Sequence, residues 1–217
     1  MAALRQNSKL TYVNEGSSNP KSVYYSRKAH WPGSASGVTI GRGYDMKLKS
    51  KAQIQKDLVY AGVDSKLADT LSEGAKLVGT NASEFVKKPD INVIEITEEQ
   101  EIILFNIAYQ EMENTFVRIC QKDDVEKKYG DCNLQKIDPA IKEFAVDLLY
   151  RGDYNPTSRQ KIQKAIISND YDTLIKQAQD RSNWGNVDGN RFSKRIEHLV
   201  RSKLIFNLNS EKATVHK

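Results

Sequence analysis

From Ser50 onward the chain is punctuated by helix starts, and that rhythm confines it to a mainly α fold. Ser50 precedes a helical run over 51–61 and Asp64 one over 65–77, each offering a side-chain oxygen to the unpaired N–H groups of a first turn. Thr97 and Gln100 form a capping box ahead of an apolar-periodic stretch that runs to about residue 120. Asp138-Pro139 opens another helix, with proline at the position whose N–H has no partner to lose, and Ile141, Phe144, Ala145, Leu148 and Leu149 follow at spacings of three and four. Further helices are expected at 157–168, 170–179 and 189–206, while 123–137 reads as a charged connector. No internal repeat or low-complexity segment interrupts the pattern.

Residues 1–49 have a different texture, rich in Ser, Gly, Tyr and Thr, with one β-like stretch at Gly37-Val38-Thr39-Ile40-Gly41 between turn residues. They are expected to form a short N-terminal helix or strand and then a small irregular β-layer. The expected organisation is one domain over 1–217: an N-terminal lobe with the β-layer (1–60), linking helices (61–110) and a helical lobe (111–217).

Composition narrows the function classes. The net charge is +5, from 33 Lys+Arg against 28 Asp+Glu, which favours an anionic polymer without naming it. Basic residues are interleaved with acids, as in Glu126-Lys127-Lys128, and no element carries the concentrated basic stripe of a nucleic-acid binder. Apolar runs such as Ile102-Ile103-Leu104-Phe105 are far shorter than the roughly 20 residues of a membrane span. The N-terminus lacks a charged-then-apolar signal pattern, so synthesis in the cytoplasm without a signal peptide is expected. Cys120 and Cys132, with three His in the whole chain, have no zinc-ligand spacing; the pair is either two buried thiols or one bridge, and a bridge is expected if the protein works in the periplasm.

The chemistry-bearing stretch runs from Asn14-Glu15-Gly16 to Thr39-Ile40-Gly41-Arg42-Gly43-Tyr44-Asp45, and between Glu15 and Asp45 it holds no other Asp or Glu. Cleaving a glycosidic bond needs one carboxylic acid to protonate the leaving oxygen and a second group across the sugar as base or nucleophile. Two isolated carboxylates among small residues suit a sugar site on a β-layer, and equally suit two solvated surface acids.

Glu-Gly followed by Thr-Ile-Gly-x-Gly-Tyr resembles the bacteriophage-type lysozymes, and more closely the pesticin-like muramidase domains of bacterial toxins and type VI secretion effectors. Phage enzymes carry their aspartate six residues before the threonine; here position 33 is Gly, and Asp45, six residues after Thr39, follows the pesticin-like arrangement. The likeness extends to Ile96-Thr97-Glu98-Glu99-Gln100, to Val146-Asp147-Leu148-Leu149-Tyr150-Arg151-Gly152-Asp153-Tyr154 and to Trp184 followed by Asn190-Arg191, covering most of residues 10–205.

The resemblance implies a mainly α (α+β) lysozyme-like fold, with a small β-containing lobe and a helical lobe around a cleft. It implies a glycoside hydrolase cutting the β-1,4 bond between N-acetylmuramic acid and N-acetylglucosamine, with Glu15 as general acid and Asp45 and Thr39 directing a water, hence inversion at the anomeric carbon. Arg191 would pair with Glu15, while Tyr44, Arg151 and Trp184 would bind substrate or support the site. Asp147 reads as a structural partner of Arg151. No metal or cofactor is implied. The expected partners are peptidoglycan strands and an immunity protein, with no nucleic acid and no membrane insertion; the chain is expected to be a monomer acting as a bacteriolytic effector in the periplasm or cell wall of a target bacterium. Two rivals stand beside this reading: a lytic transglycosylase or chitinase-like enzyme, and a non-catalytic wall- or partner-binding module of the same fold.

Overall fold

Each capping residue read from the sequence holds the helix it precedes. In the computed structural model, which describes residues 2–22 and 25–215, the Ser50 side chain accepts from Gln53 N–H at the start of α2 (Lys51–Tyr60). Asp64 accepts from Lys66 and Leu67 N–H at the start of α3 (Ser65–Ser72). That helix ends earlier than its periodicity suggests, because the chain turns at Gly74, where an added Cβ would fall 3.0 Å from Phe85 and 3.2 Å from the Leu71 carbonyl.

The chain divides into two compact units, Met1–Glu111 and Met112–Lys217. The first holds α1 (Lys9–Asn14), a two-stranded antiparallel sheet of β1 (Thr39–Ile40) and β2 (Tyr44–Asp45), α2, α3, α4 (Gly79–Lys87) and α5 (Pro89–Asn92). Residues 61–110 fall within this first unit. Helix α6 (Glu98–Cys120) supplies residues to both units, and its capping box forms as expected, with Thr97 N–H donating to Gln100 Oε1 and Gln100 N–H to Thr97 Oγ1. The core of the first unit gathers Ile40, Tyr44, Met46, Ile54, Leu58, Leu71, Leu104 and Phe105, and Tyr12 meets Phe105 edge-on at 5.1 Å.

The second unit is helical: α7 (Asp123–Tyr129), α8 (Pro139–Arg151), α9 (Pro156–Ser168), α10 (Tyr171–Gln179) and α11 (Gly189–Val215), with a short 3-10 turn at Arg181–Asn183. Helix α8 starts at Asp138, whose carboxylate accepts from Ala140 N–H, and stops at Gly152 in the left-handed region. Helix α9 opens on a reciprocal capping box between Asn155 and Ser158. Phe144 of α8 meets Trp184 edge-on, and Phe116 lies against Tyr154.

Three expectations for this region are corrected. The presumed connector contains α7, whose Asp123, Asp124 and Glu126 lie at the positive end of the helix dipole and Lys127 and Lys128 at the negative end, with buried Val125 as its anchor. Helix α11 continues beyond 206, leaving Leu204, Ile205 and Leu208 exposed. Cys120 and Cys132 are buried free thiols that hydrogen-bond to each other, not a disulfide. Among the described residues no helix is long and apolar enough to cross a membrane.

Candidate functional site

The hairpin formed by β1 and β2 sorts its residues by face. Ile40 pairs with Tyr44, and both are fully buried; Thr39 pairs with Asp45 on the opposite face. Directly opposed residues in an antiparallel pair bring their Cβ atoms to about 4.5–5.5 Å, so the hydroxyl and the carboxylate singled out in the sequence are neighbours. Thr39 also pairs with His30 on its other edge, through His30 N–H to Thr39 O at 2.8 Å and Thr39 N–H to His30 O at 2.9 Å. His30, Thr39 and Asp45 therefore form one row across three chain segments.

Asp45 is held by its surroundings. Its Oδ1 accepts from Lys47 N–H at 2.8 Å, and its Oδ2 lies 3.5 Å from Gly37 N–H and 3.6 Å from Lys47 Nζ. Gly37 is required for this approach, since a Cβ there would sit 2.4 Å from Asp45 Oδ1. Thr39 is 5% exposed, with its hydroxyl 3.4 Å from the Gly37 carbonyl.

Glu15 follows the last turn of α1, its N–H bonded to Thr11 O at 3.0 Å, and its side chain is half-buried. Gly16 then turns with φ +71°, a conformation glycine adopts without strain, and its α-carbon face lies so near Ser26 that a Cβ would come within 2.9 Å of the Ser26 Cβ. Ser26 donates from both N–H and Oγ to Ser17 O, and its own carbonyl accepts from Gly41 N–H at 2.7 Å. The Glu15 turn is thereby stitched to the hairpin tip.

Arg42, at that tip, completes the stitching. Its Nη1 donates to the carbonyl oxygens of Glu15 at 2.6 Å and Tyr12 at 3.0 Å, its Nη2 to Ser18 Oγ at 2.6 Å, and its guanidinium stacks over the Tyr12 ring. Buried Glu101 of α6 supplies the counter-charge at 3.5 Å. The Tyr12 hydroxyl, bonded to Glu101 at 3.4 Å, is raised above its ordinary pKa by burial first and by the Glu101 charge second. Neither Arg42 nor His30 stood out in the sequence: Arg42 lay inside the motif without a partner in view, and nothing local forecasts the pairing of His30 with Thr39.

The structure places the remaining residues singled out from the sequence in packed or ion-paired positions. Tyr44 is fully buried in the first unit and donates to Asp57 at 2.6 Å; burial, with that bond, pushes its phenol well above the ordinary range. In the second unit Trp184 is buried, donating from Nε1 to Gln177 O at 2.9 Å. Arg151 is exposed and pairs with Asp153 at 2.6 Å, which corrects its expected pairing with Asp147. Asp147 instead receives Arg191 Nη2 at 2.9 Å and Arg195 Nε at 2.6 Å, and Arg195 bridges on to Asp153 at 2.7 Å, so Arg151 and Arg191 belong to one network. Among the described residues no cluster of His, Cys, Asp and Glu has the makings of a metal site.

Residues 8–196 match the family described as Domain of unknown function (DUF8812), and the chain belongs to that family. No curated protein matches it.

Proposed function

We propose that this member of the DUF8812 family is a peptidoglycan hydrolase of lysozyme-like fold, cutting the β-1,4 bond between N-acetylmuramic acid and N-acetylglucosamine. The observation that carries the reading is the 2.6 Å bond from Arg42, at the tip of the hairpin that bears Thr39 and Asp45, to the backbone of Glu15. It joins one isolated carboxylate to a hydroxyl and a second carboxylate through a rigid backbone link, the kind of support a hydrolytic site needs. In the proposed reaction Glu15 protonates the departing sugar oxygen, while the Thr39–Asp45 face orients the attacking water. Tyr44 supports the hairpin by packing. The accompanying proposals are bacterial: an antibacterial effector that works on the wall of a target cell, its host protected by an immunity protein.

Mass spectrometry of muropeptides released by the wild type and by Glu15→Gln tests bond, activity and residue together. Wild type should leave N-acetylmuramic acid at the reducing end, and Glu15→Gln should lose about a hundredfold or more of that rate, because an amide donates no proton to the leaving oxygen. Anhydro-muropeptides would identify a transglycosylase instead, and an inert wild type a binding module.

A further inference from the structure

Water activation needs a group with an unshared electron pair, and the two candidates flanking Thr39 differ in how their electron pairs are engaged. Asp45 has Lys47 N–H on one oxygen, and Gly37 N–H and the Lys47 ammonium near the other. His30 is held at only one nitrogen, its Nδ1 lying 3.0 Å from the Lys28 carbonyl oxygen. A carbonyl only accepts, so Nδ1 carries the proton and Nε2 is left with a bare lone pair. Among the described residues no hydrogen bond reaches Nε2. His30 also lines a cavity of about 360 Å³, together with Ser22, Tyr25, Lys28, Asn92 and Glu95.

We propose, on the reading that this site hydrolyses a glycosidic bond, that His30 is the base of the reaction and that Asp45 orients the row without taking the proton. An O–H proton of water passes to His30 Nε2 as the water oxygen bonds to the anomeric carbon. The glycosidic C–O bond breaks, and the departing oxygen takes the proton of Glu15. Exchange with solvent then returns His30 to its neutral form and Glu15 to its acid form.

The electrostatic setting agrees with this assignment. Burial, partly offset by the bond to Lys28 O, holds the His30 imidazole below its ordinary pKa, which keeps it neutral at pH 7. The groups facing it are Lys28, Tyr25 and Glu95 around the cavity, with Asp45 beyond Thr39. Glu95 is already paired with Arg27 at 2.9 Å and accepts from the Tyr25 hydroxyl at 2.8 Å.

The test compares His30→Ala, His30→Gln and Asp45→Asn on purified peptidoglycan. Loss of a general base should lower kcat about a hundredfold or more in both His30 variants with KM nearly unchanged. Added imidazole should restore much of the rate to His30→Ala, whose enlarged cavity admits it, and none to Asp45→Asn; a purely structural role for His30 would give no such rescue. The low-pH limb of the wild-type profile should fall in the imidazole range and persist in Asp45→Asn. Near-wild-type turnover in His30→Ala, or loss without imidazole rescue, overturns the assignment while leaving the hydrolase reading intact. A wild type that cleaves no glycan overturns both.

Discussion

The two units treat buried charge in opposite ways. In the second, the carboxylate of Asp147 is fully buried between Arg191 and Arg195, its carbonyl oxygen also accepts from both, and Arg195 passes the network on to Asp153 and Arg151. In the first, buried Arg42 and Glu101 face each other at 3.5 Å, but Arg42 Nε and Glu101 Oε1 make no hydrogen bond, and the guanidinium spends its other donors on backbone oxygens and Ser18. The difference separates charges that close a helical core from charges that position a turn. The first kind should register in stability, and the second in activity per folded molecule.

The largest effect on stability is expected from Asp147→Asn. Removing one member of a buried ion network leaves the others uncompensated, so the variant should lose about 3–5 kcal/mol in urea unfolding followed by circular dichroism. Its activity per folded molecule should stay near wild type. Burial by itself would raise the Asp147 pKa, but the two guanidinium charges and their hydrogen bonds outweigh it and hold it lowered. The stabilisation is therefore fully present above the unfolded carboxyl value of about 3.9 and is lost as pH falls through the lower folded value. Asp147→Asn should flatten the acid limb of the stability profile, and a variant that loses less than about 1 kcal/mol breaks the contrast between the units.

Arg42→Lys gives the complementary result. The ammonium keeps the charge near Glu101 but has no planar fork to span the carbonyls of Tyr12 and Glu15. A stability loss of about 1.5–3 kcal/mol is expected from the charged hydrogen bonds given up. On the proposed hydrolase reading, the wall-lysis rate per folded molecule should fall more than about tenfold, since small misplacements of an acid are costly to catalysis. Equal specific activity in Arg42→Lys and wild type would make Arg42 as purely structural as Asp147.

The sequence disclosed most of the second unit and the parts of the first, but not the joins. Caps at Ser50, Asp64, Thr97 and Asp138 are local chemistry, in which a side chain meets a backbone N–H within three residues, and each one formed. Helix α7 was missed because its charge pattern resembles a solvated connector and a single buried valine fixes it. The partners of Asp147 lie 44 and 48 residues away, and nothing in the spacing favours them over nearby Arg151. Glu15, Thr39 and Asp45 were legible through motif and resemblance. The anchor that ties Glu15 to the hairpin spans 27 residues, and the row that adds His30 depends on strand register, which pattern alone does not set for segments this short.

The smallest effect is expected at the cysteines, where the second unit has a polar pair without a formal charge. Cys120 receives Gln163 Nε2 at 3.5 Å and lies 3.8 Å from the Tyr154 hydroxyl, and it shares a hydrogen bond with Cys132. That bond, more than any other influence, draws the Cys120 thiol below its ordinary pKa and holds Cys132 above it. Serine at 132 keeps a donor in the same place, so Cys132→Ser should cost no more than about 1.5 kcal/mol, the net worth of one hydrogen bond. Serine at 120, which has no exposure at all, must hold a more polar oxygen in the buried sulfur site, and should cost more. Unfolded without reductant, the wild type should release two thiols to a thiol reagent, and adding reductant should leave its unfolding midpoint where it was. A bridge closing this loop would instead add about 3 kcal/mol that reductant removes, a difference large enough to show in the same urea experiment.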